Sequence, residues 1–438
     1  MLKRKIQNFI EEHFKSKINK VLVIDGARQI GKSYIIRFVC GNLFKNYIEI
    51  NLLEDSLGDK LFEHTKNVED FYLQVSMLAG NKMGTKRETI IFLDEIQAYP
   101  HLLTLLKFLQ QDGRFTYVAS GSLLGVTLAQ TTSIPMGSIE VKRMYQLDFE
   151  EFLWANNFGE EAINNLRQKF VLRESLPENT HNKVFDLFKK YLISGGLPDV
   201  VNTYLETKNV VRVRELQSEI QNYYAIDASK YDSVNRLKIR KIYEMLPSVL
   251  ENRKKRIVVK NIENKAGKRY SDYEEEFEYL IHSGIALEVR AISNPVFPLI
   301  KSSNKNLLKL YLNDVGLLTN VLYKNNIRAI MDNEKSVNLG SVYECVVASE
   351  LKAHSKNLFY YDNKKRGEVD FLIDNYDTLS VLPIEVKSGK DYSTHRALNS
   401  FAANDDYDIQ NAVVLSNERK VFTKNKITYL PVYYSMFL

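Results

Sequence analysis

The sequence predicts a multidomain α/β protein, and three observations predict it. At 438 residues the chain is too long for one hydrophobic core, so two to four domains are expected. Apolar runs suited to buried parallel strands, Val21-Leu22-Val23-Ile24 and Ile90-Ile91-Phe92-Leu93, alternate with stretches of helical pattern. Between the first run and the helix after it lies a glycine loop, Gly26-Ala27-Arg28-Gln29-Ile30-Gly31-Lys32-Ser33. Strand, glycine loop, helix is the context in which G-x-x-x-x-G-K-[ST] means phosphate binding. The N-terminal fold expected is therefore a parallel sheet with helices on both faces, followed by a helical middle and a second α/β domain.

The elements justify this in order. Residues 4–15 read as a short amphipathic helix, with Ile6, Phe9, Ile10 and Phe14 on one face. After the first strand, the two loop glycines let the backbone curl so that its N–H groups face an anion. The helix beginning near Tyr34 adds its positive end. Lys32 is placed to reach the β- and γ-phosphates of ATP, and the Ser33 hydroxyl to ligate Mg²⁺. Tyr47 to Leu52 alternates as a second strand, and acidic helical material runs from about Leu57 to Ala79.

Thr89 to Leu93 reads as a strand buried on both faces, with Asp94 and Glu95 at its carboxyl end, where open α/β sheets place ligands. Asp94 is expected in the Mg²⁺ shell and Glu95 on the attacking water. Acidic pairs at strand ends are also common turn chemistry; what lends this pair weight is its position downstream of Lys32 in the same α/β pattern. A helix from about His101 to Gln111 leads to a strand, Phe115 to Ser122. Ser120 or Ser122 at its end can meet the γ-phosphate or the water, and an ordinary strand-to-loop turn accounts for them equally well. The last strand of this sheet is expected at Ile139 to Tyr145, with a helix beginning at Asp148.

These features resemble the AAA-type P-loop ATPases. More narrowly, the chain is similar to a bacterial and archaeal group in which such an ATPase is fused to a C-terminal domain of unknown function. The phrases Leu147-Asp148-Phe149-Glu150-Glu151-Phe152, Gly195-Gly196-Leu197-Pro198-Asp199 and Asn313-Asp314-Val315-Gly316-Leu317-Leu318 carry that narrower resemblance. It implies ATP and Mg²⁺ as cofactors, the whole loop 26–33 and Ser122 as nucleotide contacts, and Lys32 and Glu95 as catalytic. The chain departs from the group at Gly137-Ser138, where Gly-Arg is frequent, so no arginine finger carries over to that place. Arg143 and Arg114 are the substitutes considered.

The resemblance implies an ATPase domain over 1–155, and a helical lid over 156–230 that turns at Gly195-Gly196-Leu197-Pro198. In the next region, 231–320, an amphipathic helix from Leu237 to Leu250 precedes Arg253-Lys254-Lys255-Arg256. Ser271 to Glu274 has capping-box spacing, and alternation from Ile285 to Ile292 suits a β-arm. Helix, helix and arm resemble a winged helix, a unit used on DNA and also as a protein spacer. Between 235 and 310 there are 16 Lys+Arg against 9 Asp+Glu, which marks an anionic partner or a solvated face.

The last region, 321–438, is the second informative one. A helix from Ser341 to Lys352 contains Glu344. Asp370 then lies on the strand Glu368 to Ile373, and Glu385 and Lys387 share one face of the strand Leu382 to Lys387. Asp followed by Glu-x-Lys on adjacent strands resembles the PD-(D/E)XK nuclease core, with a restriction-endonuclease-like fold. In that chemistry Asp370 and Glu385 bind the metal, Glu344 completes its shell, and Lys387 steadies the developing charge. A Glu–Lys pair kept for solubility, or a binding module that retains the motif, accounts for the same residues.

Composition narrows the rest. With 45% hydrophobic and 26% charged residues the chain is neither disordered nor fibrous. No stretch approaches 18 consecutive apolar residues, and the basic start lacks the apolar segment of a signal peptide, so no membrane partner is expected. Two distant cysteines, Cys40 and Cys345, read as buried thiols of a cytoplasmic protein. The partners expected are DNA or RNA, through the 235–310 region and the C-terminal domain, and further copies of the chain in a homo-oligomer.

Overall fold

The structure, a computed structural model, describes residues 2–16, 18–122, 137–231, 236–265, 267–332, 337–389 and 392–438. The first position of the basic stretch, 235, lies outside them. Two compact units result: residues 3–145 with 282–284, and residues 146–281 with 285–438.

The first unit is built on five parallel strands: β1 (Val21–Asp25), β2 (Asn46–Asn51), β3 (Thr89–Asp94), β4 (Thr116–Gly121) and β5 (Ile139–Arg143). Their order is β2-β3-β4-β1-β5. Every residue of β1 and β3 is buried, as uninterrupted apolar runs require when helices cover both faces. One face packs Val23, Ile91 and Leu93 against Phe71 and Val75 of the helix Val68–Ala79 and Leu102 and Leu106 of the helix Pro100–Asp112. The acidic material after β2 is two helices, Leu52–Leu57 and Val68–Ala79, each capped by an asparagine (Asn51, Asn67) that accepts from backbone N–H groups. Because β3, β4 and β1 are neighbours and parallel, their carboxyl ends open on one edge, and the loops leaving those strands converge there.

The second unit holds an eight-stranded mixed sheet in the order β12-β13-β11-β10-β9-β8-β6-β7. Its strands are β6 (Ala286–Ile292), β7 (Ser303–Leu312), β8 (Phe359–Asn363), β9 (Gly367–Asn375), β10 (Ser380–Val386), β11 (Ala412–Ser416), β12 (Phe422–Lys424) and β13 (Ile427–Pro431). The segment 285–292, expected as a winged-helix arm, does form a hairpin with β7, but β6 also pairs in parallel with β8. The boundary expected at 320/321 therefore falls inside one sheet. Alternating apolar residues suit a free arm and a sheet strand alike, and only the partner strand distinguishes them. The helix expected to open in a capping box at Ser271 begins at Glu274 instead, because Tyr270–Asp272 forms a tight turn closed by the Asp272 side chain on the Arg269 backbone.

The three phrases that carried the narrower resemblance meet within this unit. Gly196 donates its N–H to Asp314 Oδ2 at 2.7 Å, and its carbonyl accepts from Leu147 N at 2.8 Å. Gly195 ends the helix Glu178–Ser194 at φ +68°, and a Cβ there would run into the Asp314 carboxylate. Asp148 caps the helix Phe149–Ala155 in a reciprocal box with Glu151.

Candidate functional site

The loop after β1 is shaped by Gly26 at φ +150° and Gly31 at φ +89°. A side chain at Gly26 would strike the Met144 carbonyl. Gly31 leads into the helix Lys32–Leu43, so the helix start faces the loop. Lys32 is 5% exposed, and its Nζ donates to the carbonyls of Gly26 (2.9 Å) and Ala27 (2.7 Å). Burial pushes this ammonium below its usual range, against the pull of the Glu95, Asp25 and Asp94 carboxylates.

β3 delivers two carboxylates to the same edge. Ser33 Oγ donates to Asp94 Oδ2 at 2.7 Å, while Ser120, at the end of β4, donates to Asp94 Oδ1. A hydroxyl beside a carboxylate at a helix start is the hard oxygen set that Mg²⁺ takes, so Ser33 and Asp94 fit that ion. Glu95 sits at φ +55°, which turns it off the strand. Its carboxylate accepts from the Gln97 amide and, at 3.4 Å, from Ser122 Oγ. Ser122 Oγ in turn accepts from Gln97 Nε2 at 3.2 Å and from Arg28 Nε at 3.3 Å. The loop, the acidic pair and the serines are thus linked through side chains. Of the two arginines considered, Arg114 precedes β4 at the opposite edge and is paired with Glu69 and Asp112; Arg143 ends β5, level with Asp25.

The second unit brings Glu344, Asp370, Glu385 and Lys387 into one electrostatic cluster. Extending the β9–β10 register one step beyond Ile384↔Phe371 sets Asp370 opposite Glu385, and Asp370 Oδ2 accepts from Val386 N at 2.8 Å. Glu385 is 5% exposed, so it is not a surface solubility pair; Lys387 meets it at 2.8 Å. Glu344, on the helix Gly340–Ala353, binds Lys255 and, at 2.8 Å, the Tyr311 hydroxyl. Lys309 is buried on Glu368 with its ammonium 4.4 Å from the centre of the Tyr360 ring. Burial, with Glu385 and Glu344 nearby, raises the Asp370 carboxyl well above the usual range; burial also raises Glu385, against the pull of Lys387. Among the described residues no three His, Cys, Asp or Glu side chains are arranged to hold a metal ion. Glu344, Asp370 and Glu385 are bonded to lysines, a tyrosine and backbone. One atom departs from that pattern: Glu385 Oε2 is buried without a hydrogen-bond partner.

Residues 18–153 match a family model described as an AAA domain. The first unit is an AAA-type P-loop ATPase domain. Residues 185–328 and 339–434 match two models described as domains of unknown function (DUF8612 and DUF4143), and the eight-stranded sheet draws strands from both. Among curated proteins none matches the chain. Solved structures similar to it include a Walker-type ATPase of Pyrococcus abyssi (13% identity, 73% of this chain and 95% of that one, TM-score 0.45). Others are the Orc1 protein of Aeropyrum pernix in complex with DNA (12%, 74% and 92%, 0.28) and the RuvB branch migration motor of Thermotoga maritima (13%, 65% and 89%, 0.29). Scores this low leave the domain's assignment resting on its family match, its loop and its sheet.

Gln97 of the AAA domain escaped the sequence reading. The only signal was a polar residue two positions past Glu95, in a stretch whose backbone reversal no pattern announces. Lys255 and Lys309 belong to the basic stretch, yet both are committed to carboxylates of the second unit. Others in that stretch are paired too: Arg290 with Glu278 and Glu288, Arg240 with Glu244, and Arg256 and Lys254 with Asp362. No helix among the described residues is long and apolar enough to cross a membrane.

Proposed function

We propose that the AAA domain hydrolyses ATP and that its cycle is coupled to the Asp370–Glu385–Lys387 cluster, which handles nucleic acid. The observation that carries hydrolysis is the placing of Lys32, Ser33, Asp94 and Glu95 at one sheet edge, each held by a named partner. Loop amides cradle the phosphates, and Lys32 exchanges its two carbonyls for phosphate oxygens. Ser33 and Asp94 would hold Mg²⁺, which offsets the charge of the β- and γ-oxygens. Glu95, kept in place by Gln97 and Ser122, orients the attacking water. Lys32→Ala and Glu95→Gln are each expected to abolish ATP turnover; activity equal to wild type in both would remove the reading.

For the cluster, the nuclease reading assigns metal binding to Asp370 and Glu385 and charge stabilisation to Lys387. It rests on the opposed carboxylates and the unpartnered Glu385 oxygen. A second reading, nucleotide-dependent binding of DNA or protein without cleavage, is favoured by the lysines already seated on Glu344 and Glu385. Incubation with DNA and with RNA, in Mg²⁺ or Mn²⁺, with and without ATP, separates the two. Cleavage lost in Lys387→Ala supports the first. Nucleotide-dependent binding that survives Asp370→Ala and Glu385→Ala supports the second. Homo-oligomerisation, the remaining proposal, is read by sedimentation with and without ATP.

A further inference from the structure

The loop Gly26–Ser33 carries a second cation besides Lys32. Arg28 is its third residue, half-buried, and its side chain spans from the end of β1 to the end of β4. Arg28 Nε donates to Ser122 Oγ at 3.3 Å, and Ser122 Oγ lies 3.4 Å from the Glu95 carboxylate. Arg28 is therefore one hydroxyl away from the group assigned to the attacking water. Burial is the main reason the Lys32 ammonium is disfavoured, and Arg28 is near enough to add to it. Two cations share one loop, and an anion that accepts from both relieves their repulsion.

The other arginines of the first unit are engaged elsewhere. Arg4 donates to the carbonyls of Ile30 (3.0 Å) and Tyr145 (2.6 Å). Arg37 is paired with Glu49, and Arg143 donates to the His282 carbonyl at 3.4 Å. Arg87 and Arg114 precede β3 and β4, at the amino ends of those strands. Glu95 follows the carboxyl end of β3.

Hydrolysis needs positive charge where negative charge gathers. The water oxygen bonds to the γ-phosphorus as the bond to the β–γ bridging oxygen breaks. The electron pair leaves on ADP, and one water proton passes to Glu95 and then to solvent. Charge builds on the phosphoryl oxygens during that step, and a guanidinium presents its N–H donors in the planar fork that such oxygens accept.

We infer that Arg28 is the arginine of the hydrolysis step, supplied in cis by the phosphate loop, so that the site needs none from a second copy of the chain. Arg28 exchanges Ser122 for a γ-phosphoryl oxygen, and Ser122 keeps its bond from Gln97 Nε2. The inference rests on the reading of this domain as an ATPase. It adds a catalytic residue where Gly137-Ser138 supplies no arginine.

The test is binding of ADP with aluminium fluoride and Mg²⁺, which mimics the transferring phosphoryl group, beside binding of ADP with Mg²⁺ alone. Arg28→Ala is expected to weaken the fluoride complex roughly 100-fold or more while ADP affinity changes by less than about threefold. Arg28→Lys keeps the charge and loses the fork, and its fluoride complex is expected between the two. In steady-state ATPase kinetics Arg28→Ala is expected to lose roughly 10³-fold in kcat with KM nearly unchanged. An equal loss in both complexes would make Arg28 a tether of the loop and overturn the inference. So would wild-type affinity for the fluoride complex that rises with protein concentration, because the complete site would then need a second copy. Wild-type protein that binds neither complex would instead remove the ATPase reading itself.

Discussion

Gln97 holds the carboxylate of Glu95 through its side-chain amide, and Ser122 Oγ lies 3.2 Å from the same Gln97 nitrogen. Gln97 is thus a positioning residue for the group assigned to the water. Replacing it with alanine leaves Lys32 and the loop glycines in place and loosens Glu95 together with Ser122, whose backbone N–H donates to Gln97 Oε1. Gln97→Ala is expected to lower kcat for ATP roughly 10- to 100-fold with KM nearly unchanged. Steady-state ATPase kinetics check this, and a matching rise in KM would show that Gln97 shapes the nucleotide pocket instead.

The Ser33–Asp94 pair makes a separable claim. Ser33→Ala removes one of the two oxygens assigned to Mg²⁺ while leaving Lys32 and the loop glycines in place. Affinity for Mg²⁺ in the ATP complex is expected to fall roughly 10- to 100-fold, with affinity for metal-free ATP little changed. Titration of Mg²⁺ at saturating ATP reads the first, and calorimetric titration with ATP in EDTA the second.

Two glycines are expected to respond in opposite directions. Gly195→Ala places a Cβ at φ +68° against the Asp314 carboxylate, and about 1–3 kcal/mol or more of stability is lost. Gly41, inside the helix Lys32–Leu43, has no heavy atom near its added Cβ. Gly41→Ala is expected to gain about 0.5–1 kcal/mol. Urea unfolding midpoints measure both.

Asp314 makes stability depend on pH in the sense opposite to a surface carboxylate. Burial raises its carboxyl to about 6 from an ordinary 3.8, against the N–H groups of Gly196, Leu317 and Gly316. The folded chain therefore keeps a proton that the unfolded chain has lost between those values. The stabilisation is complete below 3.8 and is lost as pH rises through 6. Relative to Asp314→Asn, wild type is expected to gain on the order of 3 kcal/mol between pH 7 and pH 4. Urea midpoints of both proteins across that range test it, and parallel curves would refute it.

The first unit was legible because its chemistry is contiguous in sequence. A glycine loop between strand and helix, and two acids ending an apolar run, each identify themselves within eight residues. The second unit was not legible in the same way. Its cluster is assembled from Lys255, Lys309, Glu344, Asp370 and Glu385, contributed by a turn, three strands and a helix. The net charge of 235–310 suggested an open basic face, but charge totals carry no information about pairing, and several of those cations face acids from elsewhere in the unit. The phrases around Leu147, Gly195 and Asp314 were visible as motifs without a reason. The reason is a buried joint, in which glycine is required where backbone meets backbone or carboxylate.

The parallel pairing of Arg290 and Ala291 with Phe359 and Tyr360 has a practical consequence. A truncated chain starting near residue 337 would still contain β8 to β13, but the flank of β8 normally covered by β6 would be left as a bare row of amides and carbonyls. Such a fragment is set up to stack on its neighbours through that flank rather than to stay monomeric. The two stretches matched by separate models of unknown function are one folding unit, and they are best expressed, purified and assayed together.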